Sequence, residues 1–498
     1  MNPDPNQTTA TAVEHFEVLI VGAGISGVGA AWHLQTQCPG TTYAVLESKP
    51  TFGGTWVTHT YPGIRSDSDL YTFGYRFKPW TGEPIASANE ILKYMGEVIQ
   101  DNALTPHIRY GHGIVSASWS SKNRRWTLQV RRQSDGQDIQ ISAGFLWMCQ
   151  GYYDHKKGYT PEWPGMQEFQ GRIVHPQNWP HDLEYAGKRV VVIGSGATAA
   201  TLLPAMAEHC AHIIMLQRSP TYFRTARNTM ELADTLRQLQ IPEEWTHEIV
   251  RRKILFDQTQ FQVRALAEPD AVKRDLLNNV RSFLGENFDV DKHFSPSYRP
   301  WQQRLALIPD GDLFQAIAKG QASVVTDDID RFTPAGIRLK SGAELPADIV
   351  VTATGFNLSA LGGIAFSIDG KPLDFSGTVS YRGAMFTGVP NMVWVFGYFR
   401  WSWTLRVGVL GDFVSRLLKH MKTRGSTVVM PALRPQDLDM PLKAWIEPDN
   451  FNPGYLARGV HLLPKQGTQE PWRHDQDYNK DLRELPLADL EDGALQFK

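Results

Sequence analysis

Four consecutive apolar residues, Val18, Leu19, Ile20 and Val21, run into a turn with glycines at 22, 24 and 27. An unbroken apolar run this short, bounded by glycine, predicts a strand buried on both faces. The Ala-rich stretch to about residue 35 reads as a helix, and 43–46 as the next strand, ending in Glu47. Strand, tight turn, helix and strand make one βαβ unit. The pattern returns after Lys188: 190–193 predicts a strand, Gly194 and Gly196 a turn, 197–208 a helix and 212–216 a second strand.

Between the two units, 108–119, 124–131 and 139–148 read as three strands joined by polar turns at 120–123 and 134–136. A Pro- and Gly-rich linker follows at 158–165. From 224 to about 290 the chain turns charged, with amphipathic spacing at 230–239 and 271–284, which predicts a helical insertion. Residues 332–352 suggest a strand pair about Ser341-Gly342, leading into 349–352 and Ala353-Thr354-Gly355. The expected fold is α/β, with two Rossmann-like, three-layer dinucleotide-binding domains. The expected plan is a disordered tail at 1–14, a first domain from 15 to 157 and a linker at 158–187. The second domain follows at 188–330 with its insertion at 224–290, and 331–498 returns to the first domain and ends in a C-terminal wrap.

Length supports that division, because 498 residues exceed what one hydrophobic core sustains. A net charge of −2 gives no basis for a nucleic-acid partner or an anionic membrane surface. Cys38, Cys149 and Cys210 lie far apart without a CxxC pair, which argues for a reducing, cytoplasmic setting and against disulfide exchange or a metal site. The first fourteen residues lack the apolar run of a signal peptide. The apolar stretch 391–410 is interrupted by Arg400 and Arg406, which excludes a spanning helix. Trp401 and Trp403 leave peripheral membrane contact open.

The glycine spacings carry chemistry. In Gly22-x-Gly24-x-x-Gly27 the first glycine permits the turn, the second admits a pyrophosphate and the third lets helix and strand pack. The helix N-terminus offers free N–H groups to that phosphate. Glu47, at the end of the second strand, suits ribose hydroxyls and would repel a 2′-phosphate, so this loop is assigned to FAD. In the second copy, Gly194-x-Gly196-x-x-Ala199, with Thr198 in the loop, the second strand leads into Arg218 and Ser219. A guanidinium and a hydroxyl there suit the 2′-phosphate of NADPH. Two such cofactors imply hydride flow from nicotinamide to flavin. With no redox cysteine pair and no iron–sulfur run, O2 is the remaining common electron acceptor.

Phe169-Gln-Gly171-Arg-Ile-Val-His175-Pro-Gln-Asn-Trp179-Pro180, between the two loops, resembles the FxGxxxHxxxWP fingerprint of the Baeyer–Villiger monooxygenases, class B flavoprotein monooxygenases. Pro176 stands where many members have Thr. Gly53-Gly54-Thr55-Trp56, Tyr61-Pro62-Gly63, Arg65-Ser66-Asp67 and Ala353-Thr354-Gly355 agree as well, and the run at 61–69 is similar to that of the ethionamide-activating type. The resemblance implies oxygen insertion beside the carbonyl of a hydrophobic ketone through a flavin C4a-peroxide. The alternative is S- or N-oxygenation of sulfides or thioamides. It also implies that Arg304 stabilises the reacting oxygen, that Asp67 holds Arg304, and that Gln303 replaces a lysine expected at the NADPH phosphate. Gly54, Thr55 and Trp56 are expected at the flavin. His175 reads as a domain tie rather than a general base, and Trp179 as packing. Of the aromatic run at 394–403, residues 394–396 read as core, and Tyr398, Trp401 and Trp403 as a substrate pocket.

Overall fold

The computed structural model describes residues 13–498. Most of the expected N-terminal tail therefore lies outside the described residues, and at its end Glu14 already opens the first strand, Glu14–Val21. That strand lies between Tyr43–Leu46 and Asp138–Met148, parallel to both, with Ile20 opposite Val45 on one side and Trp147 on the other. The three strands expected between the βαβ units form an antiparallel meander, His112–Ser120, Arg125–Arg132 and Asp138–Met148. Met392–Trp394 also pairs with Asp138–Met148, which brings the C-terminal part of the chain back to this sheet. Val18, Leu19, Ile20 and Trp147 are fully buried, as strands covered on both faces require.

A second sheet is wholly parallel, ordered Ala322–Thr326, His212–Gln217, Arg189–Ile193, Ile349–Thr352, Arg172–Val174. Two features depart from the sequence reading. The second unit does not end at 330: the hairpins of 329–346 and the strand Ile349–Thr352 belong with it. The expected linker also supplies an edge strand, Arg172–Val174, to the same sheet. An apolar run such as Ile349–Thr352 carries no mark of which sheet it joins; the gap between two partner strands decides it.

The insertion begins later than expected. Phe223–Ala226 is a strand paired with Ala306–Pro309, and the helices are Glu231–Gln238, Glu243–Ala267, Pro269–Leu284 and Val290–Phe294. The longest of them reaches the first unit. Its Arg251 is buried and donates to the carbonyls of Tyr71, Thr72 and Gly74, at the unsatisfied end of the helix Leu70–Phe73. Among the described residues, no helix is long and apolar enough to cross a membrane.

Candidate active site

Both glycine turns are enforced by their surroundings. Gly22 has φ +98°, and a Cβ there would sit 2.9 Å from the Cys149 carbonyl oxygen. A Cβ on Gly27 would fall 1.8 Å from the Gly22 oxygen, so this glycine serves helix–strand packing. In the second loop Gly194 has φ +123°, and its Cβ would meet the Ala353 carbonyl oxygen at 2.3 Å. The Ala353-Thr354-Gly355 segment thus abuts the second loop. Among the described residues nothing lies within 4 Å of a Cβ on Gly196, whose backbone is open to a ligand. Ala199 is buried in the second core.

One continuous cavity of about 1520 Å³ runs between the two loops. Gly22, Gly24, Glu47, Gly54, Thr55 and Trp56 line it on one side, and Gly194, Gly196, Thr198, Arg218 and Ser219 on the other. A pocket for a single small ligand measures roughly 300–1,000 Å³, so this cavity exceeds the size of a one-ligand site. Glu47 accepts from the Ala23 N–H (2.7 Å) and the Lys49 N–H (2.8 Å), which hold the carboxylate at the end of its strand. Arg218 is exposed, free to meet an incoming phosphate.

Arg304 and Asp67 meet in the wall of this cavity. The guanidinium donates through Nε (2.6 Å) and Nη2 (2.8 Å) to the two carboxylate oxygens. Nη2 also reaches Ser68 Oγ (3.2 Å), and Nη1 the Phe399 carbonyl (3.3 Å). Burial alone would pull the Arg304 pKa down. The Asp67 carboxylate outweighs it and holds the guanidinium above its ordinary value, so the cation persists at any working pH. Gln303 lines the same cavity, with Nε2 3.4 Å from Asn452 Oδ1.

The fingerprint residues lie away from the cavity lining. Phe169 packs edge-on to Phe332 at 6.0 Å, and Trp179 packs against the second core. A Cβ on Gly171 would meet the Asp348 carbonyl oxygen at 2.3 Å. His175 caps the short turn Pro176–Asn178, and Pro176 fills its first position, where no N–H is required. Burial lowers the His175 pKa.

The expected substrate aromatics separate. Trp403 lines the cavity, stacks on Tyr152 at 4.8 Å and donates to Ser26 Oγ at 2.9 Å. Tyr398 and Trp401 do not line it and are core residues: both are buried, with Tyr398 bonded to Asp481 and Trp401 beside Tyr478. The turn between strand and helix points alternate aromatics inward, which spacing alone does not reveal. The buried setting of Trp401 and the placement of Trp403 inside the cavity also remove both from any membrane-facing role.

Sequence reasoning assigned no role to Tyr152, Tyr153 and Tyr455, which line the cavity beside Arg304. Burial raises their pKa values well above the ordinary phenol value, so all three remain protonated donors. For Tyr152 and Tyr153 a signal existed: they follow directly on a central strand, where the crevice of an α/β sheet opens. Tyr455 carried none.

Comparison with known proteins agrees with this geometry. Residues 85–229 match the family model described as flavin-binding monooxygenase-like, and 20–80 match that of an NAD(P)-binding Rossmann-like domain. The chain is 46% identical over 487 residues to the FAD-containing monooxygenase EthA of Mycobacterium tuberculosis, covering 97% of this chain and 98% of that one. It is 43% identical to a probable FAD-binding monooxygenase, AlmA, of an Acinetobacter species, covering 97% and 96%. Among solved structures, oxidized steroid monooxygenase bound to NADP superposes with TM-score 0.71 at 23% identity, over 85% of this chain and 88% of that one. Cyclohexanone monooxygenase from Rhodococcus sp. Phi1 bound to NADP+ gives 0.69 at 20% identity, over 85% and 87%. The two-loop cavity with its paired arginine is therefore built on an α/β Rossmann-like fold, and the chain belongs to the FAD-containing monooxygenase family.

Proposed function

We propose that the chain is an NADPH-dependent Baeyer–Villiger monooxygenase that inserts one atom of O2 beside the carbonyl of a hydrophobic ketone, giving an ester or lactone. FAD is assigned to the loop at Gly22–Gly27 and NADPH to the loop at Gly194–Ala199. When bound, the two supply hydride transfer and oxygen activation. The observation that carries the reading is the Arg304–Asp67 pair in the cavity wall between the loops. A fixed cation there stabilises negative charge as it develops on a substrate carbonyl oxygen, and Asp67 keeps the guanidinium oriented without neutralising its remaining donors. Glu47 receives ribose hydroxyls, and Arg218 with Ser219 binds the 2′-phosphate. Cyclohexanone monooxygenase, with which the fold superposes, is named for a ring ketone, in keeping with the same reading.

A second reading, oxygenation at sulfur or nitrogen, draws support from the three protonated phenols beside Arg304, which favour a proton-donating over a purely anion-stabilising site. Supplying a ketone and a thioether together with NADPH and identifying the products separates the two. Ester or lactone is expected; sulfoxide alone would overturn the first reading.

A further inference from the structure

The segment from Tyr61 to Asp69 precedes the first unit's meander in the sequence and bridges the two units: residues 64–66 pair with 86–88 of the first, while Tyr61 enters the second. Tyr61 is buried in the second core, and Ile64 packs against it. A Cβ on Gly63 would meet Ala205 Cβ at 2.5 Å and the Thr201 carbonyl oxygen at 3.0 Å, so the segment lies directly on the helix Ala197–Ala207. Two ion pairs leave this segment with their charges reversed. Asp67 receives Arg304 from the second unit. Two residues earlier, Arg65 gives its guanidinium to Asp312 of the second unit, with Nη1–Oδ2 at 2.5 Å and Nη2–Oδ1 at 3.2 Å.

Asp312 is itself immobilised. It opens the helix Asp312–Ala318, whose Leu313 and Phe314 are fully buried, and its Oδ1 also accepts from the Leu313 N–H at 2.8 Å. The Arg65 side chain is 18% exposed and that of Asp312 30%, so the pair is screened less than a surface bridge. Arg65 borders both the main cavity and a smaller surface pocket of about 460 Å³ that Asp310 and Asp312 help to form. The pair therefore spans the wall between the reaction space and the outside.

We propose that Arg65 is a positioning residue: anchored by Asp312, it sets where Asp67 sits and thereby where Arg304 is held in the cavity wall. The two residues are separated by at most about 7 Å of chain, on a backbone that Ser66 N–H ties to the Ala86 carbonyl at 2.9 Å, so the anchored Arg65 side chain bears directly on where Asp67 sits. A bidentate guanidinium–carboxylate pair also fixes direction as well as distance. This inference rests on the oxygenase reading for its functional meaning, but its test does not depend on product.

The test is a double-mutant cycle on the holoenzyme with Asp312→Asn, Asp67→Asn and the combination. Three quantities are read: the NADP+ Kd, the rate of flavin reduction by NADPH, and the hydrogen peroxide released per NADPH consumed. Asp312→Asn is expected to raise peroxide release about fivefold, and to have little further effect once Asp67 is Asn, a non-additivity of about fivefold, or about 1 kcal/mol. The exchange Arg65→Asp with Asp312→Arg is expected to recover most of the loss. Additive effects throughout the cycle, or no response to Asp312→Asn, would overturn the proposal. If Asp312→Asn does not fold, Asp312→Glu, which keeps the charge and moves it by one methylene, closes the same cycle. Failure to oxygenate any substrate would count against the oxygenase reading instead, with the cycle then read from the NADP+ Kd.

Discussion

His175 donates from Nε2 to the Gly355 carbonyl oxygen at 3.2 Å, while its Nδ1 accepts from the Gln177 backbone N–H at 3.1 Å. A carbonyl can only accept and an N–H only donate, so the tautomer follows and neither nitrogen is left to move a proton. The fingerprint histidine ties the strand Arg172–Val174 to the segment that abuts the second glycine loop. His175→Ala is expected to cost about 2 kcal/mol for two hydrogen bonds, read as a lower Tm, and to weaken NADP+ binding. The shape of the kcat/KM profile against pH should not change; disappearance of a limb near neutral pH would assign proton transfer to the ring.

Arg304→Ala should lower the rate of oxygenated-product formation by about 10²–10³-fold, the effect of removing one preorganised charge donor. NADPH should still reduce the flavin, because the guanidinium lies in the cavity wall and not in either glycine loop. Asp67→Asn should show a smaller loss of product rate with the same pattern, since it releases the guanidinium without deleting it. Stopped-flow reduction paired with product quantification checks both, and product formed at the parent rate by Arg304→Ala would refute the assignment.

Arg218 is the charged group that follows the second unit's second strand, in the run Gln217-Arg218-Ser219 that lines the cavity. Arg218→Ala should raise the KM for NADPH by about tenfold or more, the value of a hydrogen-bonded charge pair. The KM for NADH should move little, since NADH lacks the 2′-phosphate. Equal losses for the two coenzymes would place the 2′-phosphate elsewhere.

Stability should fall in mild acid. Burial depresses the pKa values of His59 and His247 to about 4 and that of His474 to about 3, against an ordinary 6.5. The unfolded chain then binds protons that the folded chain refuses, so the stabilisation is complete above pH 6.5 and is lost progressively as the pH falls toward 4. Each buried ring contributes up to roughly 3 kcal/mol of that loss. Tm measured from pH 7.5 to 4.5 should drop steeply below 6.5, and His247→Gln should flatten the slope. A Tm independent of pH over that range would show that these rings are accessible to protons in the folded state.

The two glycine loops, the strands that lead into them, Glu47 and Arg218 were all legible in the sequence, because a βαβ unit is a local object. Apolar run, turn and helix lie within thirty residues, and each position answers to its neighbours in the chain. The ends of the insertion were half legible: amphipathic spacing marks two of its helices, but the long helix Glu243–Ala267 also carries Trp245, Ile249, Phe256, Val263 and Leu266 on its exposed side, which blurs the period. What only the tertiary structure decided concerns residues far apart in sequence. Ile349–Thr352 joins the second sheet because a space between two strands admits it. Tyr398 and Trp401 turn into the core while Trp403 faces the cavity, since the backbone turns between them. Tyr455 reaches Arg304, and Arg65 reaches Asp312, across separations no periodicity can encode. Short-range sterics and hydrogen bonding write themselves into the local pattern; which distant surfaces meet depends on the summed packing of the whole chain.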